Sequence, residues 1–145
     1  PRENIHRIKG ENDPDAEAIS YSQQLQKELN SRNGWPVFDL IMLGMGKDGH
    51  TASIFPDQIE LLHSDKICEV TTHPESGQKR ITLTGNVLNN ANRIYFLITG
   101  SGKAKRVSQI MNNLKKAKKF PASYISPTNG DLFWYLDEAA AERIS

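Results

Sequence analysis

The run Val37-Phe38-Asp39-Leu40-Ile41-Met42-Leu43 is short and largely apolar, with Pro36 before it and Gly44 and Gly46 after it. A run of that length with those boundaries predicts a strand buried on both faces of a parallel sheet, and it is read as the central strand. A strand covered on both sides requires helices above and below it, and the sequence supplies candidates. Asn12-Asp13-Pro14-Asp15 offers turn residues and a helix start, with carboxylates near the positive end of the helix dipole. Ala18, Tyr21, Leu25 and Leu29 then recur at spacings of three and four, which predicts a helix over 15–29, ended by Asn33-Gly34. Further strands are expected at 67–72, at 80–84 and at Arg93–Ile98, the last being the most apolar and so the deepest. Between Lys103 and Leu114, the residues Val107, Ile110, Met111 and Leu114 share one side of an amphipathic helix. A strand over 132–136 follows, with Ala139-Ala140-Ala141 continuing as a turn or helix. This alternation predicts one layered α/β domain over residues 1–145.

Composition narrows the function classes. Eighteen Lys and Arg against seventeen Asp and Glu leave a net charge of +1, so no overall field draws the chain to nucleic acid or an anionic membrane. The lysine-rich stretch 115–119 reads as a solvated helix end, because no aromatic platform accompanies it before Phe120. No apolar stretch approaches the ~20 residues of a membrane span. The opening Pro1-Arg2-Glu3-Asn4 lacks the apolar run of a secretion signal. Cys68, the only cysteine, cannot form an internal disulfide, and its apolar-leaning surroundings suggest a buried thiol in a reducing compartment; a cytoplasmic location is expected. His6, His50, His63 and His73 lack the spacing and neighbouring carboxylates of a metal site, and none is expected. Phe133, Trp134 and Tyr135 are read as core-packing residues of a strand.

Chemistry concentrates in Gly44-Met45-Gly46-Lys47-Asp48-Gly49-His50-Thr51-Ala52-Ser53-Ile54-Phe55-Pro56, directly after the apolar run. Its glycines match the dinucleotide pattern G-x-G-x-x-G, and Glu69 lies at a plausible distance for a ribose contact. Two features oppose that reading. Pro56 limits any helix after the third glycine to a turn or two, and Asp48 would repel a pyrophosphate. The alternative is a sharp turn at the carboxyl end of a parallel strand that presents Asp48 and His50 to a small substrate. Histidine can take a proton from water near neutral pH, and a carboxylate beside it can orient the ring and stabilise the imidazolium. On residue types alone, Asp48 as a turn cap and His50 as an ordinary polar residue stay equally open.

The stretch from Phe38 to Pro56 closely resembles the signature of the 6-phosphogluconolactonases, whose loop ends G-H-T-A-S-L-F-P. Asn4-Ile5-His6-Arg7-Ile8, Arg80-Ile81-Thr82-Leu83-Thr84, Gly100-Ser101-Gly102-Lys103-Ala104 and the segment from Pro121 to Asp137 resemble the same family in the same order. The resemblance implies a three-layer α/β/α fold with a mostly parallel sheet, shared with glucosamine-6-phosphate deaminases and ribose-5-phosphate isomerases. It also implies hydrolysis of 6-phosphoglucono-δ-lactone to 6-phosphogluconate in the oxidative pentose phosphate pathway, without a cofactor. It makes His50 the general base, sets Asp48 beside it, and gives Gly44, Gly46 and Gly49 to the substrate loop. Lys103 is implied as a phosphate contact, which suits an ammonium at a helix start beside free N–H groups. Arg80 is a further candidate anion contact.

The family also carries an upstream segment with a glycine/serine-rich phosphate loop and an Asp-Glu-Arg motif, neither of which this sequence contains. The chain is therefore expected to be the C-terminal portion of a larger lactonase domain, with a sheet edge and apolar faces exposed and open to self-association. Two other readings remain: a fragment without activity of its own, and a glucosamine-6-phosphate deaminase-like isomerase. The deaminases typically continue after G-H with a phenylalanine, an asparagine and a glutamate where this chain has Ser53-Ile54-Phe55-Pro56.

Overall fold

The structure, a computed structural model, describes residues 1–112 and 115–144. Helix α1 spans Pro14–Glu28, close to the predicted limits. Asp13 caps it by accepting the Ala16 N–H at 3.0 Å, and Pro14 occupies the first helical position, where a missing N–H costs nothing. Asn33-Gly34 does not itself end this helix. Both residues take positive φ (55° and 84°) and turn a small hairpin between β1 (Ser31–Arg32) and β2 (Trp35–Pro36). Two successive left-handed residues match the twist of paired strands, which is why Asn-Gly favours that turn.

The principal sheet joins β3 (Ile41–Leu43), β6 (Arg93–Ile98) and β7 (Asp131–Leu136) in the order β3-β6-β7, all parallel. A separate antiparallel pair joins β4 (Cys68–Thr72) and β5 (Lys79–Leu83), which leaves these two outside the parallel sheet. Short helix α2 (Gly85–Leu88) leads to β6, α3 (Ser101–Met111) leaves it, and α4 (Glu138–Ala141) follows β7. The chain is thus an α/β fold built on a parallel sheet. In α3, Val107 is buried with Ile110 and Met111 partly so, as the amphipathic pattern requires; Leu114 lies outside the described residues.

Two expectations are corrected. The run 37–43 is not a central strand buried on both faces. Only Ile41–Leu43 is strand, it borders β6 alone among the described residues, and Met42 is 66% exposed. Its first residues are spent elsewhere, with the Val37 N–H donating to Asn30 and the Phe38 carbonyl accepting from Asn92 N–H. The middle position belongs to β6. Nor are Phe133 and Tyr135 core residues: only Trp134 turns inward, stacking on Phe96 at 4.1 Å between ring centroids.

The period-two alternation of strands explains both corrections. Ile41, Leu43, Ile94, Phe96 and Ile98 point to one face, where they meet Val107 of α3, Ala140 of α4, Leu62 and Leu88. The other face is open to solvent at Met42, Leu97, Phe133 and Tyr135. A second core lies under α1, where Ala18 and Leu25 cover Ile67, Cys68 and Val87. The buried Phe55 and Phe96 each contribute about 1.5–3 kcal/mol by leaving water.

Candidate active site at the carboxyl end of the parallel sheet

The loop that leaves β3 folds back on itself through its own backbone. Gly46 N–H donates to the His50 carbonyl at 2.9 Å, and Gly49 N–H donates to the Gly46 carbonyl at 3.1 Å. The fully buried Thr51 ties the far end to the strand by donating its hydroxyl to the Gly44 carbonyl at 2.8 Å. No long helix follows the third glycine. Instead Thr51 and Ile54 form an isolated bridge and a 3-10 helical stretch runs over Pro56–His63, an arrangement that offers no helix dipole to a dinucleotide pyrophosphate.

This turn brings Asp48 and His50 together. His50 Nδ1 lies 2.7 Å from Asp48 Oδ1, and the His50 backbone N–H donates to the same oxygen at 3.1 Å. The aspartate therefore both caps the turn and pairs with the ring. With Nδ1–H donating to the carboxylate, Nε2 is left as the acceptor, the form a general base needs. Burial pushes the Asp48 carboxyl up, but the His50 backbone N–H, the charge of the ring and the ring N–H together hold it below its ordinary value. Behind the pair, the buried Phe55 ring packs against His50 at 4.7 Å between centroids and limits its swing.

The glycines are required by this shape. A Cβ on Gly46 would fall 2.2 Å from His50 Nδ1 and 2.5 Å from Asp48 Oδ1. Gly49 has φ +90° and presses on Phe120, which a Cβ would meet at 2.7 Å. Gly46 and Gly49 are both buried and Gly44 is exposed, with Gly44 and Gly46 lining a neighbouring pocket beside His50.

Lys103, in the first turn of α3, reaches the same place. Its Nζ donates to the Met45 carbonyl at 2.5 Å, bracing the loop while its other protons stay available. Arg106, one turn further on, donates to the Lys47 carbonyl at 3.1 Å and stands over the Phe120 ring at 4.7 Å. Asp48, His50 and Lys103 line one cavity of about 350 Å³, with Gly46, Phe55 and His73 among its other walls. Arg80 is not among its lining residues; its guanidinium stands 5.9 Å from the Phe55 ring centre, on the flank of the site. A larger cleft of about 500 Å³ between α1 and the start of β4 gathers amide, apolar and surface-charged groups but no acid–base pair, so size alone does not locate the chemistry. Among the described residues no three His, Cys, Asp or Glu side chains converge as a metal-binding group, and no helix is long and apolar enough to cross a membrane.

Sequence reasoning missed Phe55, Thr51 and Arg106 as supports of the pair. Phe55 and Thr51 stand in the quoted loop, where an aromatic and a hydroxyl beside the candidate histidine were the available signal. Nothing local marks Arg106.

Known proteins resemble this chain over most of its length. The family model for glucosamine-6-phosphate isomerases/6-phosphogluconolactonase matches residues 1–134. The 6-phosphogluconolactonase of Aggregatibacter actinomycetemcomitans is 43% identical over 144 residues, covering 99% of this chain and 60% of the relative. That of Haemophilus influenzae is 44% identical over 144 residues, with the same coverage of 99% and 60%. A crystal structure of a devB protein superposes with a TM-score of 0.95 at 46% identity, covering 100% of this chain and 60% of that one. The 6-phosphogluconolactonase of Trypanosoma brucei gives 0.81 at 29% identity, covering 91% and 54%. The chain thus spans about 60% of the length of such relatives.

Proposed function

Because this chain belongs to the glucosamine-6-phosphate isomerase/6-phosphogluconolactonase family, we propose that it carries the proton-transfer loop of an enzyme that hydrolyses 6-phospho-D-glucono-1,5-lactone to 6-phosphogluconate. In this reading residues 1–145 act as one domain, the later portion of a larger lactonase domain, working in the cytoplasm on a small sugar-phosphate lactone. The exposed edge of β3 is where copies would associate.

The observation that carries the reading is the 2.7 Å contact between Asp48 and His50 in an open cavity. His50 Nε2 takes a proton from water while the water oxygen bonds to the lactone carbonyl carbon. The ring C–O bond of the resulting tetrahedral adduct then breaks, and the imidazolium returns the proton to the departing ring oxygen. Water is added across the ester and the base is regenerated. Asp48 holds the ring in the required tautomer and offsets the imidazolium charge. Gly44 and Gly46 let the loop approach the lactone closely, Gly49 sets the turn, Lys103 binds the phosphate, and Arg80 adds positive charge at the flank.

The test is the hydrolysis rate of freshly prepared 6-phosphogluconolactone, corrected for the spontaneous reaction, for this chain and for His50→Ala. A loss of about 10²–10⁴-fold in the variant is expected. Equal rates in the two folded proteins would remove His50 from the reaction.

A further inference from the structure

The cavity that holds Asp48 and His50 has two unlike walls. Lys47 and Lys103 supply positive charge to its lining. The turn that joins β4 to β5 supplies His73-Pro74-Glu75 to the same lining.

That turn fixes His73. Its backbone N–H donates to the Gln78 carbonyl and its own carbonyl accepts from Gly77, both at 2.9 Å. Its ring Nδ1 accepts the Glu75 and Ser76 N–H groups at 3.3 and 3.2 Å. Two donors aimed at Nδ1 place the proton of the neutral ring on Nε2. The ring also meets Phe55 edge-on at 5.2 Å, so His50 and His73 pack against the same buried phenylalanine. Nε2–H has no hydrogen-bond partner among the described residues, and the ring lines the cavity.

We propose that His73 and Glu75 form a hydroxyl-reading wall that sets which end of the sugar acid lies at His50. This rests on the lactonase reading and goes beyond it by assigning the second wall. A ring donor and a carboxylate acceptor on one turn match alcohol groups, each of which both donates and accepts. The Glu75 carboxylate repels a phosphate, which is drawn to the Lys103 side instead. A ligand with hydroxyls at one end and a phosphate at the other then enters in one orientation, an arrangement that favours reaction by restricting the approach of its carbonyl.

The experiment compares the affinity of the full chain for 6-phosphogluconate and for inorganic phosphate, by calorimetry, in the wild type and two variants. His73→Asn keeps an acceptor for the Glu75 and Ser76 N–H groups but is too short to present the donor, and Glu75→Gln keeps size while removing charge. Amide spectra check that each variant is folded. The expected result is about tenfold weaker binding of 6-phosphogluconate by His73→Asn, what loss of one hydrogen bond produces, with phosphate affinity unchanged. Glu75→Gln should weaken the sugar acid by about threefold and leave phosphate binding equal or tighter. Unchanged sugar-acid affinity in both variants, or equal losses for both ligands, overturns the proposal. A wild-type chain that binds the two ligands equally overturns the hydroxyl wall alone. One that binds neither overturns the lactonase reading of this chain, and the wall with it.

Discussion

Two neighbouring parallel strands, β3 and β6, release their chains at the same end of the sheet, yet the turns that follow are built on opposite plans. After β3, nearly every part of the loop is tied down: Gly46 to His50, Gly49 to Gly46, Thr51 to Gly44, Met45 to Lys103 and Lys47 to Arg106. After β6, Ser101 and Gly102 stand exposed, and the main restraint is Asp137, whose carboxylate accepts the Gly100 N–H at 3.0 Å. Proton transfer requires atoms placed to within a fraction of an ångström, whereas attraction between a phosphate and an ammonium tolerates looser placement. In the proposed reading the tied turn carries the proton-transfer pair Asp48 and His50, and the open one carries the phosphate contact Lys103.

Matched substitutions in the two turns test that contrast. The largest effect is expected from Gly46→Ala, whose methyl would enter the space between Asp48 and His50; lactone hydrolysis should fall by about 100-fold or more. Gly102→Ala, where the nearest atom is the end of the flexible Lys47 side chain at 3.3 Å, should change the rate less than about threefold. Similar losses in the two assays would show that the open turn is as exacting as the tied one.

A second pair reads stability by denaturant unfolding. Gly49 and Gly100 share φ +90°, but only Gly49 has a neighbour where the Cβ would go. Gly49→Ala should cost about 2–4 kcal/mol through strain and the clash with Phe120, and Gly100→Ala about 1–2 kcal/mol through strain alone. Equal costs would mean that Phe120 yields.

The smallest expected effect concerns pH. The Asp48 carboxyl is held below its ordinary value, so its contribution to stability is complete above the unfolded-state pKa and is lost as pH falls through the folded one. Wild type should therefore lose its advantage over Asp48→Asn in thermal melts only on acidification below about pH 4. A gap between them that stays constant from neutral pH down to acid would mean that the depressed carboxyl contributes nothing to the fold.

The sequence made α1 readable because its start, its face and its capping aspartate are all local. The candidate loop was readable for a similar reason, since a carboxylate and a histidine two residues apart can meet through one turn. Strand order was not. Whether Ile41–Leu43 stands at the middle or the edge depends on pairing with residues far along the chain, and an apolar run records only that something will cover it. The same limit hid Phe133 and Tyr135, whose aromatic character suits a covered face as well as the exposed one they occupy. His73 was set aside as a histidine without metal partners; its place in the cavity lining is created by the β4–β5 turn and by Phe55, neither of which leaves a local trace.

The core beneath α1 contains the chain's single sulfhydryl, and that gives the molecule an internal clock. Cys68 is 3% exposed where it lines the cleft between α1 and the start of β4, and burial raises the pKa of its thiol, so a thiol reagent attacks it slowly in the closed protein and faster when the helix lifts from β4. The pace of its modification therefore reports how often the layer under α1 opens, at a site away from the two turns that follow β3 and β6.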